Sequence, residues 1–377
     1  MFKRTLSPSL HVLLAGGLLV AAAVGTAGSA NAATSTTADC RLSGATGATK
    51  TTPFTPTGIT ADDGRDDTAG LQSAIDRAGA AGGGVVKIPR GTFTLNGHLV
   101  LRTGVKLQGR GSATVLKAGP GFLSHTGPRG GYPVITTNGA RDVTVTNLVA
   151  DQSGDVLNGN VDGRLSEYLV DVRGSVNAVV DGVRTRNPFT YSIVAADSKN
   201  FCITRSTTRS ATNGRYDQLD GIHVLNSSFG DVTGNDVDQR RGTDGDDGLV
   251  AHTMNGSVHD VRYVGNRVRG GNHGSAMQLA YTSSNDRIYN LTIQRNEFWG
   301  SPLSLRTGIY GTSGSASNII VGGAPGQGND FHDNGGNAID FAGNLSSIKV
   351  THNRLCRSGS VRVGAGSGNQ TFSNTGC

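Results

Sequence analysis

Three stretches of this 377-residue chain concentrate groups able to move protons. LDGIHV carries Asp220, GTDGDDGLV carries Asp246 and Asp247, and GGNHGSA carries His273. Asp220 to Asp246 is 26 residues, and Asp247 to His273 is again 26. Clustered carboxylates do not all ionise cheaply, so at least one is expected to keep its proton near neutrality. A proton donor beside a carboxylate that can activate water is the equipment for cleaving a glycosidic bond. Any single Asp-Gly pair in a chain with 57 glycines reads as a turn. TDGDDG also looks like a calcium loop but lacks the later Glu of an EF-hand. The weight lies in the shared interval. His223, His252 and His259, taken singly, read as surface or packing residues.

An interval of that length needs a repeating scaffold. One β-type phrase recurs: Val261-Arg-Tyr263-Val-Gly-Asn266-Arg-Val268, then Leu291 to Phe298 with Asn296, then Ile348 to Leu355 with Asn353. Alternation of two calls for strands, and the Asn suits a tight turn between two of them. Intervals near 30 residues mark solenoids. A β-sandwich also has short strands and Gly turns, but it has no reason to repeat one phrase at coil length. The fold expected is all-β, a parallel β-helix (β-solenoid), in which successive Asn amides bond in a ladder.

With a coil of about 26 residues, Asp220, Asp246-Asp247 and His273 fall at one lateral position on consecutive coils, strands roughly 4.8 Å apart. Neighbours on a regular strand point to opposite faces, so Asp246 and Asp247 cannot both face outward from one. Gly245 and Gly248 flank them and suggest a bulge where both turn out.

The remaining organisation follows from composition. Lys3 and Arg4, an apolar run from Val12 to Val24 and Ala30-Asn31-Ala32 have the layout of a secretory signal, cleaved after Ala32. Residues 33–57 read as an extended leader and 58–377 as one β-helix domain. DDTAGLQSAIDRAGAAGGG is expected to form a capping α-helix, N-capped by Asp66 or Asp67, with Leu71, Ile75 and Ala78 on its apolar face. A secreted chain favours disulfides among Cys40, Cys202, Cys356 and Cys377 over a metal site, and the absence of a C-x-x-C pair counts against zinc. Cys356–Cys377 is favoured among the three connectivities, with Cys202 equally readable as a small buried apolar residue. The net charge of +6, interspersed along the chain, suits a solvated surface and tolerates an acidic polysaccharide. No recognition helix or aromatic RNA-binding sheet is visible, so nucleic acid is not an expected partner. No later stretch approaches a membrane span, and a solenoid is expected to act as a monomer.

At these residues the chain resembles the polygalacturonase-type glycoside hydrolases of family 28, within the pectin-lyase-like superfamily, whose motifs are N-T-D, D-D, G-H-G and R-I-K. Here they read Gln218-Leu219-Asp220, Asp246-Asp247, Gly271-Asn272-His273-Gly274 and Arg306-Thr307-Gly308. The resemblance implies a right-handed parallel β-helix, from about residue 58 to 360, and an inverting hydrolase without a cofactor. It casts Asp246 as general acid, with Asp220 and Asp247 holding the water. His273 would tune their protonation and Arg306 would bind substrate. Gly308 replaces the family's Lys, so a uronate carboxylate would need Arg240, Arg241 or Arg306, or the sugar is neutral, as in an α-glucan. Tyr216, Tyr281, Tyr310 and Trp299 are candidate sugar platforms. The rival enzyme class is a polysaccharide lyase or epimerase on a uronate polymer, with calcium on the three Asp and Arg269 or Arg306 as base. A non-catalytic glycan-binding solenoid is the second alternative.

Overall fold

The computed structural model describes residues 40–123, 130–157, 165–210, 218–310 and 314–377. The signal expected over 1–32 lies outside them. The described chain winds into three sheets of twelve, ten and eleven strands. The ten-stranded sheet carries the strands on which the site is built, labelled β1 (Ile222–Leu225), β2 (Leu249–Thr253), β3 (Ser275–Tyr281) and β4 (Leu303–Ile309). All four pair in parallel with their neighbours. After β2 the chain enters the twelve-stranded sheet at Ser257–Val264 and the eleven-stranded sheet at Arg267–Arg269 before returning as β3. This is the right-handed parallel β-helix, the hand that parallel crossovers adopt.

Alternation decides what each strand buries. Val258, Val261 and Tyr263 point inward from Ser257–Val264, and Leu291, Ile293, Ile319 and Val321 continue their rows. The expected ladder is present and longer than the recurring phrase suggests. Each side-chain oxygen of Asn266, Asn296, Asn329, Asn353 and Asn374 accepts both the backbone and the side-chain N–H of the Asn one coil before it, starting from Asn235, at 2.9–3.0 Å. A buried amide so saturated fixes the turn on every coil.

The helix α1 (Thr68–Ala80) buries Leu71, Ala74, Ile75 and Ala78 in the core that also holds Val86, Leu99 and Leu107. Asp67 occupies the N-cap position, its carbonyl accepting the Leu71 N–H, but its side chain makes no cap bond. Its carboxylate instead accepts the N–H groups of Thr60 and Thr94, while Asp66 accepts from Thr68. The leader is tied down where it is described. Pro53–Phe54 adds the first strand of the twelve-stranded sheet, Asp231 accepts the N–H groups of Leu42 and Ser43, and Cys40 is joined to Cys202. Cys202 is therefore a bridge, not a free apolar filler, and Cys356–Cys377 is the second disulfide, as expected. No helix among the described residues is long and apolar enough to cross a membrane.

Candidate active site

The site forms where the chain enters β1 and β2. Ile222, Leu249 and Met277 stack inward and anchor the register. Their intervals are 27 and 28 residues, not 26. Leu219 bridges Gly245, an interval of 26, so one residue is gained between that bridge and the start of β2. Asp220 and Gly221 on one coil face Asp246, Asp247 and Gly248 on the next. The added residue is the bulge expected from the glycines, and both aspartates line one pocket of about 200 Å³ together with Asp220.

The bulge also decides which aspartate is the partner. The Asp247 N–H donates to Asp220 Oδ1 at 3.1 Å, while the Asp246 N–H goes to the Leu219 carbonyl at 3.2 Å. One coil further, the Ser275 N–H donates to Asp247 Oδ1 at 2.6 Å, and Ser275 Oγ accepts from Arg306 Nε at 2.8 Å. The place above Asp247 expected for His273 thus belongs to Ser275. His273 is exposed, donates its backbone N–H to Gly245 and does not line the pocket. Its neighbour Gly274 passes so close that a Cβ there would lie 2.5 Å from Asp246 Oδ1, so only glycine fits.

Asp220, Asp246 and Asp247 can bring one carboxylate oxygen each within 4.8 Å of the others. Asp220 and Asp247 are 4% and 5% exposed, and Asp246 is half-buried. Burial, and then the charges of Asp246 and Asp247, push the Asp220 pKa well above the carboxylate range. Burial pushes Asp247 up to about 6, opposed by the Ser275 hydrogen bonds and the Arg306 charge. Such a cluster can hold a proton next to an ionised base, or chelate a hard cation.

Two histidines that single-residue reading set aside complete the pocket. His223 Nδ1 lies 2.7 Å from Asp220 Oδ2, and His223 Nε2 lies 3.0 Å from His252 Nδ1. His223 stacks on Tyr191 at 4.2 Å and 9°, and Tyr191 on Tyr168 at 5.1 Å and 15°. Burial lowers His252 to about 4, partly offset by Asp286, so its ring is neutral near pH 7. The available signal was His223 three residues after Asp220 on an alternating strand, which places it outward beside Leu225.

The other candidates divide. Tyr310 lines the pocket, half-exposed, and its hydroxyl donates to Gln278 Oε1 at 3.0 Å. Tyr281 is corrected: it is 2% exposed and packs in the core, with no face for a sugar. Arg240 is exposed, bonds Asn272 and the Gly300 carbonyl and does not line the pocket. Arg241 pairs with Asp238 and lines a separate groove with Arg184, Arg186 and Arg209. Trp299 is covered by Arg267 and Arg269 at 4.2 and 4.3 Å. Tyr216 lies outside the described residues.

No family model matches the chain. An exopolygalacturonase of Thermotoga maritima superposes with a TM-score of 0.62 at 16% identity, over 87% of this chain and 94% of that one. An endo-xylogalacturonan hydrolase of Aspergillus tubingensis gives 0.60 at 17% identity, over 86% and 93%. The chain shares the parallel β-helix fold of these polygalacturonase-type structures. By sequence it is similar to mannuronan C5-epimerases of Azotobacter vinelandii, one of them 38% identical over 123 residues, which is 30% of this chain and 21% of that protein. It is also 31% identical over 147 residues to an alginate lyase of the same organism, covering 36% and 17%. The chain spans between 6% and 21% of the length of the curated relatives it matches.

Proposed function

We propose that the protein is an exported polysaccharide-degrading glycoside hydrolase working from the Asp220–Asp246–Asp247 cluster. The observation that carries this reading is three carboxylates sharing one open pocket, two of them buried with raised pKa. Asp246, the least buried of the three, gives its proton to the glycosidic oxygen as that bond breaks. A water held by Asp220 and Asp247 attacks the anomeric carbon and loses its proton to Asp247, which is ionised above about pH 6. Arg306 donates to Ser275 Oγ, and its charge limits the cost of ionising Asp247. Export fits the two disulfides.

A second reading is favoured by the sequence relatives: epimerisation or eliminative cleavage of a uronate polymer, with the carboxylates positioning substrate or holding a cation. Single Asp246→Asn and Asp247→Asn variants test the hydrolase against a binding-only solenoid. Both should lose activity by orders of magnitude and still bind the glycan. Full activity in both would end the acid–base assignment.

A further inference from the structure

We propose that His223 is a positioning residue for this reaction, holding Asp220 in the plane from which it shares the attacking water with Asp247. The inference rests on the hydrolase reading for its kinetics and on geometry alone for the contact. Both nitrogens and one face of the His223 ring are committed. Nδ1 meets Asp220 Oδ2 at 2.7 Å, Nε2 meets His252 Nδ1 at 3.0 Å, and one face lies on Tyr191 at 4.2 Å. The ring is 2% exposed. Asp220 is in turn held by both oxygens, Oδ2 by His223 and Oδ1 by the Asp247 N–H.

A ring needed only for packing would have no use for its nitrogens in this place, because a phenyl ring would stack on Tyr191 equally well. Both nitrogens are instead bonded, to Asp220 and His252, and with the face on Tyr191 the ring joins groups from three successive coils. Neighbouring coils thus fix a side chain that fixes the carboxylate, the arrangement that holds a reacting group to fractions of an ångström. The rings of Tyr168 and Tyr191 spend their faces on one another, on His223 and on Arg173, so they serve as a wall behind the histidine and offer no sugar platform.

The test compares His223→Phe with His223→Asn in the full chain. Phenylalanine keeps the stack and loses both bonds. The asparagine amide nitrogen falls near the place of Nδ1 and restores the donor to Asp220. His223→Phe is expected to lower kcat on the preferred polysaccharide by about 10²–10³ with KM within about threefold, and His223→Asn to recover activity to within about tenfold of wild type. The proposal is overturned if His223→Phe keeps kcat within about threefold, or if a folded His223→Asn is no better than His223→Phe. Nitrogen-15 NMR decides the contact independently of substrate and of the His223 variants. A strongly downfield His223 Nδ1–H resonance that returns to the ordinary range in Asp220→Asn is expected, and its absence overturns the proposal. An unmistakable resonance in a protein that cleaves no polysaccharide would retire the hydrolase reading while leaving the contact in place.

Discussion

The backbone N–H of Asp247 donates to the carboxylate of Asp220 at 3.1 Å across two coils of the β-helix. That bond exists because one extra residue separates the Leu219–Gly245 bridge from the Ile222–Leu249 pair. The bulge turns Asp246 and Asp247 to the same pocket, which a regular strand could not do.

The acid limb of the pH–rate profile should follow. Burial brings Asp247 to about 6, and it raises the neighbouring Asp220 as well. As pH falls through about 6 the cluster takes up a proton and loses its base, so kcat/KM should decline below that point. The limb belongs to the coupled cluster, not to one residue. Asp247→Asn should displace it, and an unmoved limb in any residual activity would show that another group controls it.

Stability should run the opposite way. A carboxyl whose folded pKa is raised binds its proton more tightly in the fold than in the unfolded chain. Its cost is therefore absent below the unfolded value of about 4, grows to about 6 and is complete above. Asp247→Asn should melt at or above the wild-type temperature at pH 7, with the difference fading near pH 4. Calorimetry across that range checks the sign, and a variant markedly less stable at pH 7 would contradict it.

The stereochemical outcome is a sharper question than the family resemblance suggested. The carboxylates approach within 4.8 Å, tighter than the roughly 6.5–9.5 Å usual for inverting pairs. With the water on the Asp220–Asp247 pair and the proton on Asp246, inversion is still expected. Proton NMR of the first product anomer decides it, and retention would turn one aspartate into a nucleophile.

The Asn ladder should matter for stability and not for chemistry. Asn296 donates to Tyr263 O and Asn329 Oδ1 and accepts from two N–H groups of Asn266, all buried. Asn296→Ala leaves several of these unpaired at about 1–3 kcal/mol each. A melting temperature lowered by several degrees with kcat unchanged is the expected result.

What the sequence revealed of all this depended on whether a signal repeated. The phrase around Asn266, Asn296 and Asn353 disclosed the coil and its ladder, and the Leu71–Ile75 spacing disclosed the cap. The aspartates were found through their interval, although coils of varying loop length make any one interval inexact, and the place given to His273 went to Ser275. His223 and His252 were passed over because a histidine's role comes from a neighbour whose register the sequence does not print. Tyr281 was misjudged because Ser275–Tyr281 is buried along its whole length, leaving no alternation to tell which face is inside.

The most direct measurement is product formation by the purified protein on polygalacturonate, rhamnogalacturonan, alginate, dextran, α-1,3-glucan and arabinan. New reducing ends and ultraviolet absorbance would be followed together. Reducing ends released from at least one polymer without absorbance, and lost in Asp246→Asn, are the expected result. Absorbance rising in step with chain breaks would mean elimination, and would remove Asp246 from the role of proton donor in hydrolysis.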